Sequence, residues 1–266
     1  MAWWGKVVGG AFGFMLGGPL GALLGAALGH NFDKGLIGIE QSGPADRERI
    51  QTAFFTATFT VMGHLAKADG RVSPEEIALA EAVMAEMDLT PEQRKAAIAL
   101  FNQGKAADFP LDETLDQFRR ECRRRATLIQ MFLEIQIQAA YADGRMDKAE
   151  ERVLLHVCER LGIPRFVFDQ LRRMVEAHRR AAGAGRGRYA GREAPKMGLD
   201  DAYAILNLSP DASDAEVKKA YRRLMSRHHP DKLISKGLPE EMMKMAQQKT
   251  AEIRKAYERI KRERGL

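Results

Sequence analysis

The chain has 266 residues, 45% of them apolar and 29% charged, with a net charge of +6. That is room for two ordinary domains plus appendages, and it excludes a disordered or low-complexity polymer. The charge is uneven, with −3 over residues 1–177, +5 over 178–198 and +4 over 199–266, so an acidic partner is expected for the last third. Cys122 and Cys158 are the only cysteines, which excludes a disulfide framework or a cysteine zinc site and fits a reducing compartment.

After a short N-terminal segment (1–6), no Asp, Glu, Lys or Arg occurs between Lys6 and Asp33. Val7 to Gly29 is 23 residues, roughly 34 Å of helix against a hydrocarbon core of about 30 Å. Trp3 and Trp4 flank it where indoles favour the membrane interface. A single transmembrane helix is therefore expected over 7–30. Gly5, Gly9, Gly13, Gly17, Gly21, Gly25 and Gly29 fall at every fourth position, which lines one side of that helix with a groove for a second backbone. Gly9, Gly13, Gly17, Gly21 and Gly25 are the expected contact face of a homodimer. Pro19 removes one helical hydrogen bond and kinks the middle. A cleaved signal peptide has no A-x-A site here, and a re-entrant hairpin broken at Pro19 is the other reading. Lys34, Arg47 and Arg49 outnumber Lys6 across the span, favouring a periplasmic N-terminus and a cytoplasmic C-terminal side.

The stretch "AKADGRVSPEE" (66–76) returns as "AYADGRMDKAE" (140–150), 74 residues later. Apolar positions keep the same offset, with Phe54 against Leu128, Val83 against Val157 and Met87 against Leu161. Residues 47–104 and 121–177 are thus expected to be two copies of a helical hairpin packed into one all-α domain over 47–177. Gly70 and Gly144 suit the left-handed position past a helix end. Ser73 with Glu76, and Asp147 with Glu150, read as capping boxes that start the next helix. Asp69, Glu76, Asp143 and Glu150 also match a fragment of a calcium loop, but its twelve-residue ligand set is absent and capping accounts for them. No metal or other cofactor is expected, and no nucleophile–base arrangement points to catalysis.

Residues 178–198, "HRRAAGAGRGRYAGREAPKMG", read as a Gly/Ala/Arg tether of about 25 Å root-mean-square reach if unstructured. One short Arg/Gly run argues against nucleic acid as a partner. Anionic membrane lipid is a comparable contact.

From 199 to 266 the expected elements are a short helix near Asp201–Leu206, a second started by a Ser213–Glu216 capping box, and a third begun near Pro239. Around the second helix, Val217, Ala220, Tyr221, Leu224 and Met225 fall on one half, and Lys218, Lys219, Arg222, Arg223 and Arg227 on the other. It ends at His228-His229-Pro230-Asp231, where proline disfavours helix at His229. The third helix is expected to bury Ile253, Ala256, Tyr257 and Ile260. Met242, Met243 and Met245 read either as helix packing or as an adaptable client surface. His229 lacks partners for acid–base work.

The ADGR repeat resembles the TerB-like (tellurite-resistance-associated) helical domain, which implies an all-α interaction module. The segment "AEVKKAYRRLMSRHHPDK", a loop and "IRKAYERI" resemble the J-domain family. That resemblance implies a domain that is no enzyme: it docks on a DnaK-type chaperone ATPase and stimulates ATP hydrolysis. His229, Pro230 and Asp231 match the family's docking loop, and Lys218, Lys219, Arg222, Arg223, Arg227 and Lys232 match its cationic face. The chain lacks the Gly/Phe-rich region, the four CxxC zinc motifs and the C-terminal client-binding domain of general J-domain proteins, so a restricted, recruited client is expected. The domain order resembles the membrane-anchored J-domain proteins of Gram-negative bacteria. This implies an inner-membrane, single-span, dimeric co-chaperone with links to envelope-stress and capsule-synthesis signalling. The competing functional class is a dimeric membrane scaffold whose TerB-like domain does the main binding.

Overall fold

The computed structural model describes residues 21–23, 45–68, 70, 74–87, 89–123, 125–183, 197–235, 238 and 242–265. Residues 21–23 are helical. The rest of the apolar N-terminal run, with Gly9, Gly13, Gly17 and Gly25, lies outside the described residues. Among the described residues there is no strand, and no helix is long and apolar enough to cross a membrane.

Seven helices build the central module: α1 (Ala45–Leu65), α2 (Pro74–Glu86), α3 (Pro91–Gly104), α4 (Leu111–Glu121), α5 (Ala126–Ala140), α6 (Lys148–Leu161) and α7 (Arg165–Gly183). Helix α1 is its axis. From Ala53 to Leu65 only Phe55 and His64 keep appreciable exposure, as a helix must when it is apolar all round. Two of its three buried threonines are satisfied internally: the Thr58 and Thr60 hydroxyls donate to the carbonyls of Phe54 (2.7 Å) and Thr56 (2.8 Å), while the Thr56 hydroxyl has no partner among the described residues. Phe54 meets Phe118 of α4 and Phe132 of α5 with centroids 6.0 and 6.5 Å apart, placing the core where three helices converge.

The 74-residue repeat reappears in the element starts: α2 at Pro74 against α6 at Lys148, and α3 at Pro91 against α7 at Arg165. Each copy is three helices rather than a hairpin, and α4 stands between them. Gly70 and Gly144 take φ of +90° and +112° in equivalent turns. At α6 the Asp147 side chain accepts from the Ala149 and Glu150 amides (2.6 and 2.7 Å), and Glu150 accepts from the Asp147 amide (2.8 Å). Ser73 and the Glu76 side chain lie outside the described residues, as does Asp69. Asp143 accepts from the Arg145 amide at 3.1 Å.

Helix α7 continues to Gly183. The tether read from 178 therefore opens with helical turns, because Arg and Ala are good helix formers; residues 184–196 lie outside the description. The C-terminal module follows with α8 (Leu199–Leu206), α9 (Asp214–His228), α10 (Pro230–Ile234) and α11 (Met243–Arg264). Its core holds Tyr203, Ile205, Leu206, Val217, Leu224, Ile253, Ala256 and Ile260, joined by Ala177 of α7. Pro239, read as the start of the last helix, lies outside the described residues, and α11 is helical from Met243.

Candidate functional site

Helix α9 is started by the capping box read in the sequence: Ser213 Oγ accepts from the Glu216 amide (3.3 Å), and Glu216 accepts from the Ser213 amide (2.7 Å). Val217, Ala220 and Leu224 are buried, and Tyr221 stacks on Tyr257 of α11 with centroids 4.1 Å apart. This apolar half fixes the rotation of the helix, so Lys218, Lys219, Arg222 and Arg223 all face solvent. Lys232 is exposed too and donates to Ser226 Oγ at 2.6 Å.

The two adjacent histidines have opposite environments. His228 is 4% exposed, and burial pulls its imidazole down to about 4 despite the nearby Glu134 carboxylate. His229 ends α9 in an extended conformation (φ −61°, ψ 125°), the region that a following proline favours. Pro230 then opens α10, a five-residue helix where a loop was expected. Proline at a first helical position needs no amide partner and presets φ, and Leu233, fully buried, pins the turn beneath. The His229 and Asp231 side chains are 50% and 88% exposed, with Nδ1 and Oδ2 3.9 Å apart. The tripeptide is thus an exposed pair of side chains on a rigid backbone corner.

A residue that sequence reading missed holds the other end of α9. Arg264 on α11 donates to Tyr203 Oη (2.6 Å), Asp214 Oδ1 (2.8 Å) and the carbonyls of Ala212 (2.6 Å) and Pro210 (2.9 Å). Its guanidinium lies 5.2 Å from the Tyr203 ring centroid, so it ties the last helix to the loop that starts α9. Met242 is fully buried, and Met243 and Met245 are partly so. Among the described residues no three His, Cys, Asp or Glu side chains converge on a possible metal position. Burial raises the thiols of both Cys122 and Cys158 to about 12, which leaves them chemically inert.

A capped helix with one cationic face, a rigid His-Pro-Asp corner and an antiparallel return helix define a J-domain protein. A family model described as "DnaJ domain" matches residues 201–264, "Tellurite resistance protein TerB" matches 55–173, and "Co-chaperone DjlA transmembrane domain" matches 1–42. The chain is 44% identical over 274 residues to the co-chaperone protein DjlA of Coxiella burnetii, covering 100% of both chains. It is 46% identical over 276 residues to those of Photobacterium profundum (99% of both) and Yersinia pseudotuberculosis (100% of both). No solved structure matches. The chain belongs to the DjlA family of membrane-anchored co-chaperones, whose work is to regulate a chaperone.

Proposed function

We propose that the protein recruits a DnaK-type chaperone to the inner membrane and stimulates its ATPase, in the setting of envelope-stress or capsule-synthesis signalling. The observation that carries this is the exposed His229-Pro230-Asp231 corner beside a solvent-facing set of cations. Lys218, Lys219, Arg222, Arg223, Arg227 and Lys232 steer the domain onto an acidic surface, and the tripeptide fixes the register. Both effects need a preformed geometry. The apolar half of α9 and the Arg264 staple supply it.

The test is single-turnover ATP hydrolysis by the chaperone with the full chain in detergent. His229→Gln and Asp231→Asn are expected to return the rate to its unstimulated level. Both side chains are exposed, so stability should shift by no more than about 0.5 kcal/mol. Normal stimulation by a folded His229→Gln chain would sink the reading. Reversal of Arg222 and Arg223 to Glu should weaken docking about tenfold, and added salt should weaken the wild type in the same direction.

The N-terminal glycine line supports a homodimer through the membrane helix, and the excess of Lys34, Arg47 and Arg49 over Lys6 supports cytoplasmic C-terminal modules. Arg and Lys in the tether support contact with anionic lipid. Gly17→Leu with Gly21→Leu is expected to insert as well as the wild type but to lose self-association in a membrane two-hybrid assay. Undiminished association in that variant would remove the glycine face from the proposal.

A further inference from the structure

Besides the contact of α7 with α8 around Ala177 and the Arg180–Asp201 pair, the central module meets the C-terminal module along a second seam that includes part of the cationic face. On the central side lie Gln51 of α1 and Gln130, Met131 and Glu134 of α5. On the other lie Arg227 at the end of α9, Leu238 and the first turns of α11. Arg227 Nη1 donates to Gln130 Oε1 at 3.2 Å, and Gln51 Nε2 donates to the Leu238 carbonyl at 3.4 Å. Lys249 Nζ meets Glu134 Oε2 at 3.1 Å, their side chains 11% and 9% exposed. His178 of α7 meets Glu252 at 2.6 Å. Leu233, Leu238, Met242 and Ala246 are buried in the same apolar cluster as the α1 and α5 core. A cavity of about 70 Å³ lies in the seam, lined in part by Glu134, Gln138, His228, Gln248, Lys249 and Glu252.

Three features set the chemistry of this seam. Arg227 is only partly exposed, unlike the other five cations of the set, and it is the α9 cation nearest His229. Leu233, Leu238 and Met242, which follow the tripeptide, pack on the central module. The rest of the seam mixes a few apolar side chains, Met131, Met245 and Ala246, with polar and ionic pairs. A buried ion pair gains little net stability over its separated, solvated partners, and interfaces between modules of one chain are commonly reversible. A seam of this kind can open.

We propose that the α5 face of the central module is an internal docking surface for the J domain, a latch that withholds Arg227 and one flank of the His-Pro-Asp corner from the chaperone. This rests on the chaperone-docking reading of α9. In the latched form Lys218, Lys219, Arg222, Arg223 and the exposed His229 and Asp231 make the first encounter. Full engagement requires α5 to give up Arg227. The central module then has a function defined by geometry: whatever draws α5 away from the J domain raises chaperone recruitment.

The test uses the full chain in nanodiscs and reads the concentration giving half-maximal stimulation of the chaperone ATPase. Glu134→Lys places a cation against Lys249 and Arg227 and should open the seam, and Lys249→Glu should do so from the opposite side. Each is expected to lower the half-maximal concentration about tenfold, the gain when a state populated one-tenth of the time becomes dominant. The swapped pair Glu134→Lys with Lys249→Glu should return it toward the wild-type value. Hydrogen exchange in α5 and α11 should rise in the single variants and fall again in the pair. Single variants that open by exchange yet dock no better than the wild type would overturn the latch while leaving the docking reading intact. A wild-type chain without stimulation would remove both. Loss of all helical signal in Glu134→Lys would leave the decision to Lys249→Glu, which reverses the other half of the same ion pair.

Discussion

Helix α1 and helix α9 both carry polar side chains but are surrounded differently. Helix α1 carries three threonines inward, each buried, and packs against neighbours on every side. Helix α9 buries one half and shows five cations on the other, four of them fully in solvent. In α1 the Thr58 and Thr60 hydroxyls are satisfied by their own helix, so the helix expresses only the fold. In α9 the packing demand is met by Val217, Ala220, Tyr221, Leu224 and His228, and the opposite half carries charge that packing does not require. Function is legible where a residue pattern exceeds what packing requires.

The sharpest way to break that contrast lies at the crossing of α1 and α3. A methyl group added at Gly104 would collide with the backbone oxygen of Thr60, and one at Gly63 with that of Phe101. Backbone cannot retreat as a side-chain tip can. Gly104→Ala is expected to cost about 3 kcal/mol, lowering the thermal midpoint by roughly 6–12 °C. A midpoint within about 2 °C of the wild type would show that the crossing is looser than the contact implies. Reversing Arg222 and Arg223, by contrast, should leave that midpoint unchanged.

A smaller effect sharpens the comparison at the boundary between the two halves of α9. Burial depresses His228 to about 4 in the folded chain, against about 6.5 when unfolded. Between those values the unfolded chain binds the extra proton, so stability rises with pH across the window. The contribution is complete above about 6.5 and disappears as pH falls toward 4, with about 2 kcal/mol lost by pH 5. Thermal unfolding at pH 7.5 and 5 measures it. His228→Gln should flatten the difference, and a wild-type chain equally stable at both values would refute the buried, neutral imidazole.

Much of the local geometry around the His-Pro-Asp corner was legible in the sequence because its signals are local. Ser213 with Glu216, Asp147 with Glu150 and the His-Pro-Asp tripeptide each act within four residues. Helix α4 escaped notice, although Asp112 and Glu113 in its first turn and Arg119 and Arg120 in its last complement the helix dipole. So did the Thr90–Gln93 capping box with Pro91 behind it, which starts α3. Short α10 was read as a loop because five residues carry no helical period. The seam and the Arg264 staple had no local signal at all: Arg227 reaches Gln130 across 97 positions, and Arg264 reaches Pro210 across 54. Gly63 and Gly104 were silent for another reason. A glycine in a helix reads as a weakness until a second backbone is found against it.

The Arg264 staple also imposes an order in time. A chain emerges from its N-terminal end and modules fold as units, so everything from α1 to α7 is available before any J-domain residue exists. The cations of α9 follow, yet the loop from Pro210 to Asp214 that sets the start of their helix waits for Arg264, near the end of the last helix. The cationic face is therefore completed last. A ribosome-bound nascent chain presents the helices of the central module first and the complete J domain only after the rest has been made.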